Sequence, residues 1–196
     1  MQDLGNGLRS AHADEEALHI ARCDLQNCQR FGASAQLLTT CKLQIAGDLE
    51  SLGRNEEAVE IYEEVLAGPA MMCGLLSPAF VLQLLCNVTI AYHKIGRYAD
   101  AMSLLEGKGI EARKVFGPNH HVTLFIKRKY LVSAIHNEKT GVRANDIKKH
   151  IQSLEDVLRT SRRVLGDKHP HTVEGLADIE AARKGWEARH SNWQNW

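Results

Sequence analysis

The chain has 196 residues, 44% of them hydrophobic and 24% charged, with 6% aromatic residues and four prolines, proportions that fit an ordinary folded protein and argue against a disordered or low-complexity chain. Its 24 Lys and Arg balance 24 Asp and Glu, yet residues 1–98 carry a net −5 and residues 99–196 a net +5, so an acidic partner is drawn to the second half, or one copy stacks head to tail on another. No apolar run approaches the roughly 18 residues of a membrane span and no basic segment leads into an apolar one at the start, which argues against a membrane role and for a cytoplasmic setting.

A helix is already under way at Leu4 and Leu8, and a polar turn is expected around residues 10–13. Asp14, Glu15 and Glu16 then stand where the positive end of a helix dipole favours acid. Ala17, Ile20, Ala21, Leu25 and Cys28 follow at helical spacing down one face until Phe31-Gly32. The next helix, residues 37–52, puts Leu38, Cys41, Ile45, Ala46 and Leu49 on one stripe. Gly53 supplies a left-handed cap and Asn55 an N-cap for a helix that runs through Ala58, Ile61, Tyr62, Val65 and Leu66 to Gly68-Pro69. Residues 78–95 form a further helix, Gly96-Arg97-Tyr98 a turn and residues 101–115 the partner helix. A helix over about 122–138 turns Leu124, Leu131, Ala134 and Ile135 inward. After a lengthened turn, a helix over 146–165 carries Ile147, Ile151, Leu154, Leu158 and Leu165. One more helix, 172–183, precedes a polar tail at 186–196 that holds three tryptophans.

One phrase recurs between these helices. Leu165-Gly166-Asp167-Lys168-His169-Pro170-His171-Thr172 and Phe116-Gly117-Pro118-Asn119-His120-His121-Val122-Thr123 share a frame, with fainter copies at Phe31-Gly32 and at Cys73-Gly74 before Ser77-Pro78. The glycines at 32, 74, 117 and 166 stand 42, 43 and 49 residues apart, a period that marks a helical repeat array. The units fall at about 1–32, 33–74, 75–117 and 118–166, with a final helix at 167–185; the array opens partway through a repeat and ends after half of one, as expected of a piece of a longer array. Inside the units, Leu85, Val88, Thr89, Tyr92, Ala101, Leu104 and Leu105 repeat Lys42, Ile45, Ala46, Leu49, Ala58, Ile61 and Tyr62 after a shift of 43.

The frame of a small residue, an aromatic or Leu, Gly and Ala (Thr89, Tyr92, Gly96 and Ala101; Ala46, Leu49, Gly53 and Ala58) resembles the tetratricopeptide repeat. With the 42- to 43-residue period and the Leu-Gly-x-x-His-Pro-x-Thr linker, it is similar to the longer repeats of kinesin light chains. The resemblance implies an all-α fold, a superhelical array of antiparallel helix hairpins, that is a tetratricopeptide-like α-solenoid whose first helices line a concave groove. It implies a non-catalytic module that binds a peptide or protein segment there. It further implies that Asn87, at the place of a groove asparagine that bonds ligand backbone, does so here; Gln44 and Tyr130 stand at the corresponding positions of the neighbouring units. Around Asn87 the groove is expected to present Glu50, Gln83, Cys86, Ile90, His93, Lys129, Ser133 and His136, a mixed polar lining suited to an extended segment with an acidic residue.

Other chemistry has weaker footing. His120-His121 and His169-x-His171 invite a metal, and with it a metal-dependent helical enzyme, but the flanking helices offer no Asp/Glu/His pair at i, i+4 to complete a ligand set. The favoured reading is that the linker His and Pro cap the incoming helix, with no cofactor. Lys127-Arg128-Lys129, Lys148-Lys149 and residues 159–163 are basic but carry no interleaved aromatics, so they read as solvent-facing charge rather than a nucleic-acid surface. Five cysteines at 23, 28, 41, 73 and 86, an odd number without C-x-x-C, read as inert packed thiols. No phosphate loop, nucleophile elbow or carboxylate pair is present. Self-association of the acidic half with the basic half of another copy is the alternative to peptide binding.

Overall fold

A helix start needs an acceptor for its first free amides, and each of the four linkers supplies one. Ser34 Oγ accepts from Leu37 N at 3.3 Å and Ser77 Oγ from Phe80 N at 3.2 Å. His120 Nδ1 accepts from Val122 N at 3.4 Å and His169 Nδ1 from His171 N at 3.2 Å. The two faint linkers and the two histidine linkers therefore do the same job with different side chains. Pro78 and Pro170 follow their caps in the first turn, where a missing N–H costs nothing. The glycine that opens each linker has positive φ, from 64° at Gly74 to 89° at Gly166, as have Gly53 and Gly96 inside the repeats, and no other residue type does among the described residues.

The computed structural model describes residues 2–68, 71, 74, 77–137 and 144–190, and every regular element among them is an α-helix. The fold class is all-α, an array of antiparallel helix hairpins as expected. The chain divides into two compact units, residues 1–95 and 96–196.

The first unit holds α1 (Gln2–Arg30), α2 (Ala35–Ser51), α3 (Asn55–Ala67) and α4 (Pro78–Lys94), each packed on the next. Its core is Leu18 and Ala21 of α1, Ile45, Ala46 and Leu49 of α2, Ala58, Val59, Tyr62 and Val65 of α3, and Leu84, Leu85, Val88, Ala91 and Tyr92 of α4. Three features differ from the sequence expectation. The turn expected at 10–13 is helical, because Ser10-Ala11-His12-Ala13 contains no Gly or Pro to stop α1. Leu18 rather than Ile20 faces inward, leaving Ile20 60% exposed, since a stripe through Leu18, Ala21, Leu25 and Cys28 meets α2. Asn55 is the first residue of α3 and not its cap; Arg54 holds the cap position without a side-chain cap bond, and its guanidinium instead pairs with Glu57.

The second unit holds α5 (Tyr98–Phe116), α6 (His121–Asn137), α7 (Ala144–Leu165) and α8 (Pro170–His190). Helix α6 touches α5, α7 and α8. That central place explains why Val122, Leu124, Phe125, Ile126, Leu131, Ala134 and Ile135 are all buried around it, where a surface helix would bury one stripe. The core of this unit continues through Ile147, Ile151, Leu154, Val157 and Leu158 of α7 to Ile179 of α8, and Trp186 packs partly buried against it. The final helix thus runs beyond the expected end at 183; the lengthened turn over 138–143 and the tail beyond 190 lie outside the described residues.

Arg128 breaks the pattern of the basic triplet Lys127-Arg128-Lys129. Its side chain is 4% exposed, bonded through Nη1 to Asp178 Oδ2 and through Nη2 to Glu174 Oε2 of α8, each at 2.5 Å. Gly175 of α8 makes room for this: a Cβ there would stand 3.5 Å from Arg128 Cδ and 3.2 Å from Leu158 Cδ1.

Candidate partner-binding face

Glu50, Gln83, Cys86, Asn87, Ile90 and His93 fall in the first unit, and Lys129, Ser133 and His136 in the second. On α4, Gln83, Cys86, Asn87, Ile90 and His93 recur at helical spacing on one face, opposite the buried Leu84, Leu85, Val88, Ala91 and Tyr92. Gln83 is exposed, Ile90 is 41% exposed, and Cys86, Asn87 and His93 are half-buried.

These side chains do not stand alone. Gln83 Nε2 donates to Asn87 Oδ1 at 2.9 Å. Asn87 also lies near enough to the Tyr62 phenol of α3 to act on its proton affinity. Tyr62 donates its hydroxyl to Glu50 Oε1 of α2 at 2.6 Å, and Lys94 Nζ closes on Glu50 Oε2 at 2.7 Å. The bonded chain Tyr62–Glu50–Lys94 therefore ties α3, α2 and α4 together behind the α4 face, and Gln83 and Asn87 pair along α4 itself. Burial, and then the bond and charge of Glu50, push the Tyr62 phenol up against a smaller opposing effect of Asn87, so it remains a protonated donor. Beside it, Tyr92 donates to Glu63 Oε1 at 3.0 Å. Gln83 occupies the Asn87 oxygen, so what Asn87 offers a ligand is its amide group.

In the second unit the expected residues separate by role. Lys129 is half-buried, with Nζ 5.8 Å from the centre of the Phe125 ring. His136 is also half-buried, its Nδ1 2.8 Å from the Val132 carbonyl and its ring stacked on Tyr98 at 5.5 Å. Ser133 is fully buried and donates its hydroxyl to the Lys129 carbonyl at 2.9 Å. It packs between helices and presents nothing to solvent, because α6 is covered on several sides. A cleft of about 330 Å³ between α7 and α8 has an apolar floor of Leu158, Leu176 and Ile179 and a rim of Arg159, Arg162 and Arg183, paired with Asp156, Asp167 and Glu155 in turn.

The linker histidines gather in this unit. His120 stacks on Phe116 with ring centres 4.7 Å apart and meets His121 at 4.2 Å. His171 stands 5.2 Å from His169, 5.1 Å from Phe125 and 6.4 Å from His121. Burial lowers the affinity of His121 for protons, and so do the charges of His120 and His169. For His171, burial again leads; Arg128, His169 and His121 act with it, and Glu174 acts against. Among the described residues, no group of three or more His, Cys, Asp or Glu side chains is arranged to hold a metal ion, and no helix is long and apolar enough to cross a membrane.

Sequence reasoning missed Tyr62 and Lys94 as members of the bonded chain. Tyr62 was legible only as a core aromatic, and its hydroxyl gave no periodic signal. Lys94 follows His93 directly, but its partner lies 44 residues away in sequence.

The tetratricopeptide repeat family model matches residues 38–68 and 151–171. The chain is similar in fold to the crystal structure of nearly identical TPR-like repeats assigned to a kinesin light chain of Podosopora anserina, at 17% identity with a TM-score of 0.65, covering 98% of this chain and 87% of that one. A point-substituted form of the same repeats gives a TM-score of 0.66 at the same identity and coverage. No curated protein matches the chain by sequence. Two segments of the chain thus match tetratricopeptide repeats, and its fold is shared with TPR-like repeats assigned to a kinesin light chain.

Proposed function

We propose that the chain is a non-catalytic interaction module that takes an extended peptide or protein segment along the α4 face of its first unit. Tetratricopeptide repeats generally mediate protein–protein interaction. What carries the assignment to this face is the Gln83 amide, which holds the Asn87 oxygen before any ligand arrives, beside the exposed Ile90, on a helix tied to α2 and α3 through Lys94, Glu50 and Tyr62. Preorganised polar groups next to an apolar contact bind a strand-like segment with less ordering cost. His93 at the end of the same helix gives the segment a place for an acidic residue. In the second unit, the arginine-rimmed cleft of α7 and α8 offers a further attraction for acidic segments, one from a second copy included.

The test is selection of peptides from a random display library on the intact protein, followed by titration of the selected peptides against wild type and an Asn87→Ala, His93→Ala double variant. A loss of about tenfold or more in affinity, at unchanged far-UV circular dichroism, is expected. Peptides that bind both proteins equally would refute a function centred on this face.

A further inference from the structure

Cys28 lies in the last turn of α1 and Cys41 in the second turn of α2, with the capped linker between them. Their sulfurs are 3.7 Å apart, with the Cys41 thiol donating to Cys28 Sγ. Both side chains are half-buried, so a small oxidant reaches them. The hairpin holds both backbones in place: the Cys28 carbonyl accepts from Ala33 N at 2.8 Å, and Ser34 caps the helix that carries Cys41. A disulfide needs about 2.05 Å between sulfurs, and rotation of two side chains on adjacent, packed helices supplies the difference.

We propose that Cys28 and Cys41 form an oxidative modification site, in which a peroxide converts the thiol pair to a disulfide that staples α1 to α2. Cys28 attacks first: its sulfur takes one oxygen of the peroxide, the O–O bond breaks, and the other oxygen leaves as water after taking up a proton. The product is a sulfenic acid on Cys28. The Cys41 sulfur then attacks the Cys28 sulfur; the S–O bond breaks and the hydroxyl leaves as a second water with the Cys41 proton. Two thiols lose two electrons and the peroxide gains them. The order follows from the contact, in which Cys41 is the proton donor. It agrees with the upward push on the Cys41 thiol from burial, Cys28 and Asp24, which disfavours that sulfur as the first attacker.

The full chain is treated with hydrogen peroxide, remaining thiols are alkylated, and the digest is mapped by mass spectrometry. The expected result is a peptide pair joined through Cys28 and Cys41, lighter by two hydrogens and separated by dithiothreitol. In a Cys41→Ser variant, dimedone is expected to trap a sulfenic acid on Cys28. Full alkylation of both cysteines after peroxide would overturn the proposal, as would their oxidation to unlinked sulfinic acids or linkage of either to another cysteine. The mapping on wild type stands whether or not the variant folds.

Discussion

The Arg128 site allows two ways of removing one ion pair, and they differ in cost. Arg128 is 4% exposed at its side chain, whereas Glu174 and Asp178 are 52% and 23% exposed. In an Arg128→Met variant the buried charge disappears, both carboxylates turn to water, and the thioether fills most of the volume over the Phe125 ring, 5.5 Å from the present Cζ. The loss is then that of a partly screened pair, about 1 kcal/mol. Arg128 Nε finds no acceptor among the described residues, so its removal also relieves an unmet donor. In a Glu174→Ala, Asp178→Ala variant the guanidinium stays buried without a counter-charge, at a cost of about 3 kcal/mol. The gap of about 2 kcal/mol corresponds to roughly 4–8 °C in a chain of this size. Thermal unfolding by circular dichroism, with hydrogen exchange of the α8 amides to locate the loss, measures it. If Arg128→Met melts as low as the double carboxylate variant, desolvation does not dominate at this site and the argument fails.

Two glycines of α2 and its following turn should respond in opposite senses to alanine. Gly53 has a φ of 74°, so Gly53→Ala is expected to lose about 1–2 kcal/mol in urea unfolding. Gly47 lies inside α2 with nothing within 4 Å of an added Cβ, and Gly47→Ala should gain about 0.5–1 kcal/mol; equal effects would undo the assignment of Gly53 as a required left-handed joint. The histidine cluster sets a pH dependence. His121 and His171 bind protons less readily in the fold than at their ordinary value of 6.5, so the unfolded chain takes up protons first and stability, full above that value, falls as pH drops through it. For Glu174, burial pushes the carboxyl up but Arg128 more than offsets it, and its contribution is lost only at lower pH, below its ordinary 4.5. Urea midpoints measured from about pH 8 to pH 5 should decline for wild type and stay level for a His121→Phe, His171→Phe variant; a wild-type midpoint that does not move would count against the cluster as its source.

Most of the helix pattern was legible because it rests on local physics. Residues 78–95 were expected as a helix and Pro78–Lys94 is observed; 101–115 was expected and Tyr98–Phe116 is observed. Glycine, cap and apolar spacing all act within one or two turns, and each leaves a mark in sequence. Partners across helices leave none. Arg128 looked like one cation in a solvent-facing triplet because its carboxylates lie 46 and 50 residues away. Ser133 looked like a groove residue because its helical face was right, while the covering of α6 by three neighbours was invisible. Cys28 and Cys41 looked inert because spacing within one helix says nothing about a sulfur across a turn. Asn87 was expected from its position in the repeat frame; its pairing with Gln83 was not.

The four joints between helices share a property that bears on how such a chain arises. Among the described residues, every hydrogen bond that closes them is local, the longest reach being from Thr123 Oγ1 to the Gly117 carbonyl, six residues back. A joint of this kind travels complete when the stretch of sequence containing it is duplicated, since no distant residue must change with it. Its cap is also free to drift between serine and imidazole, as positions 34, 77, 120 and 169 record, while the glycine before it is not. The histidine-rich phrase at Leu165–Thr172 and the faint one at Phe31–Ser34 thus build the same joint, and the glycine is the part they keep in common.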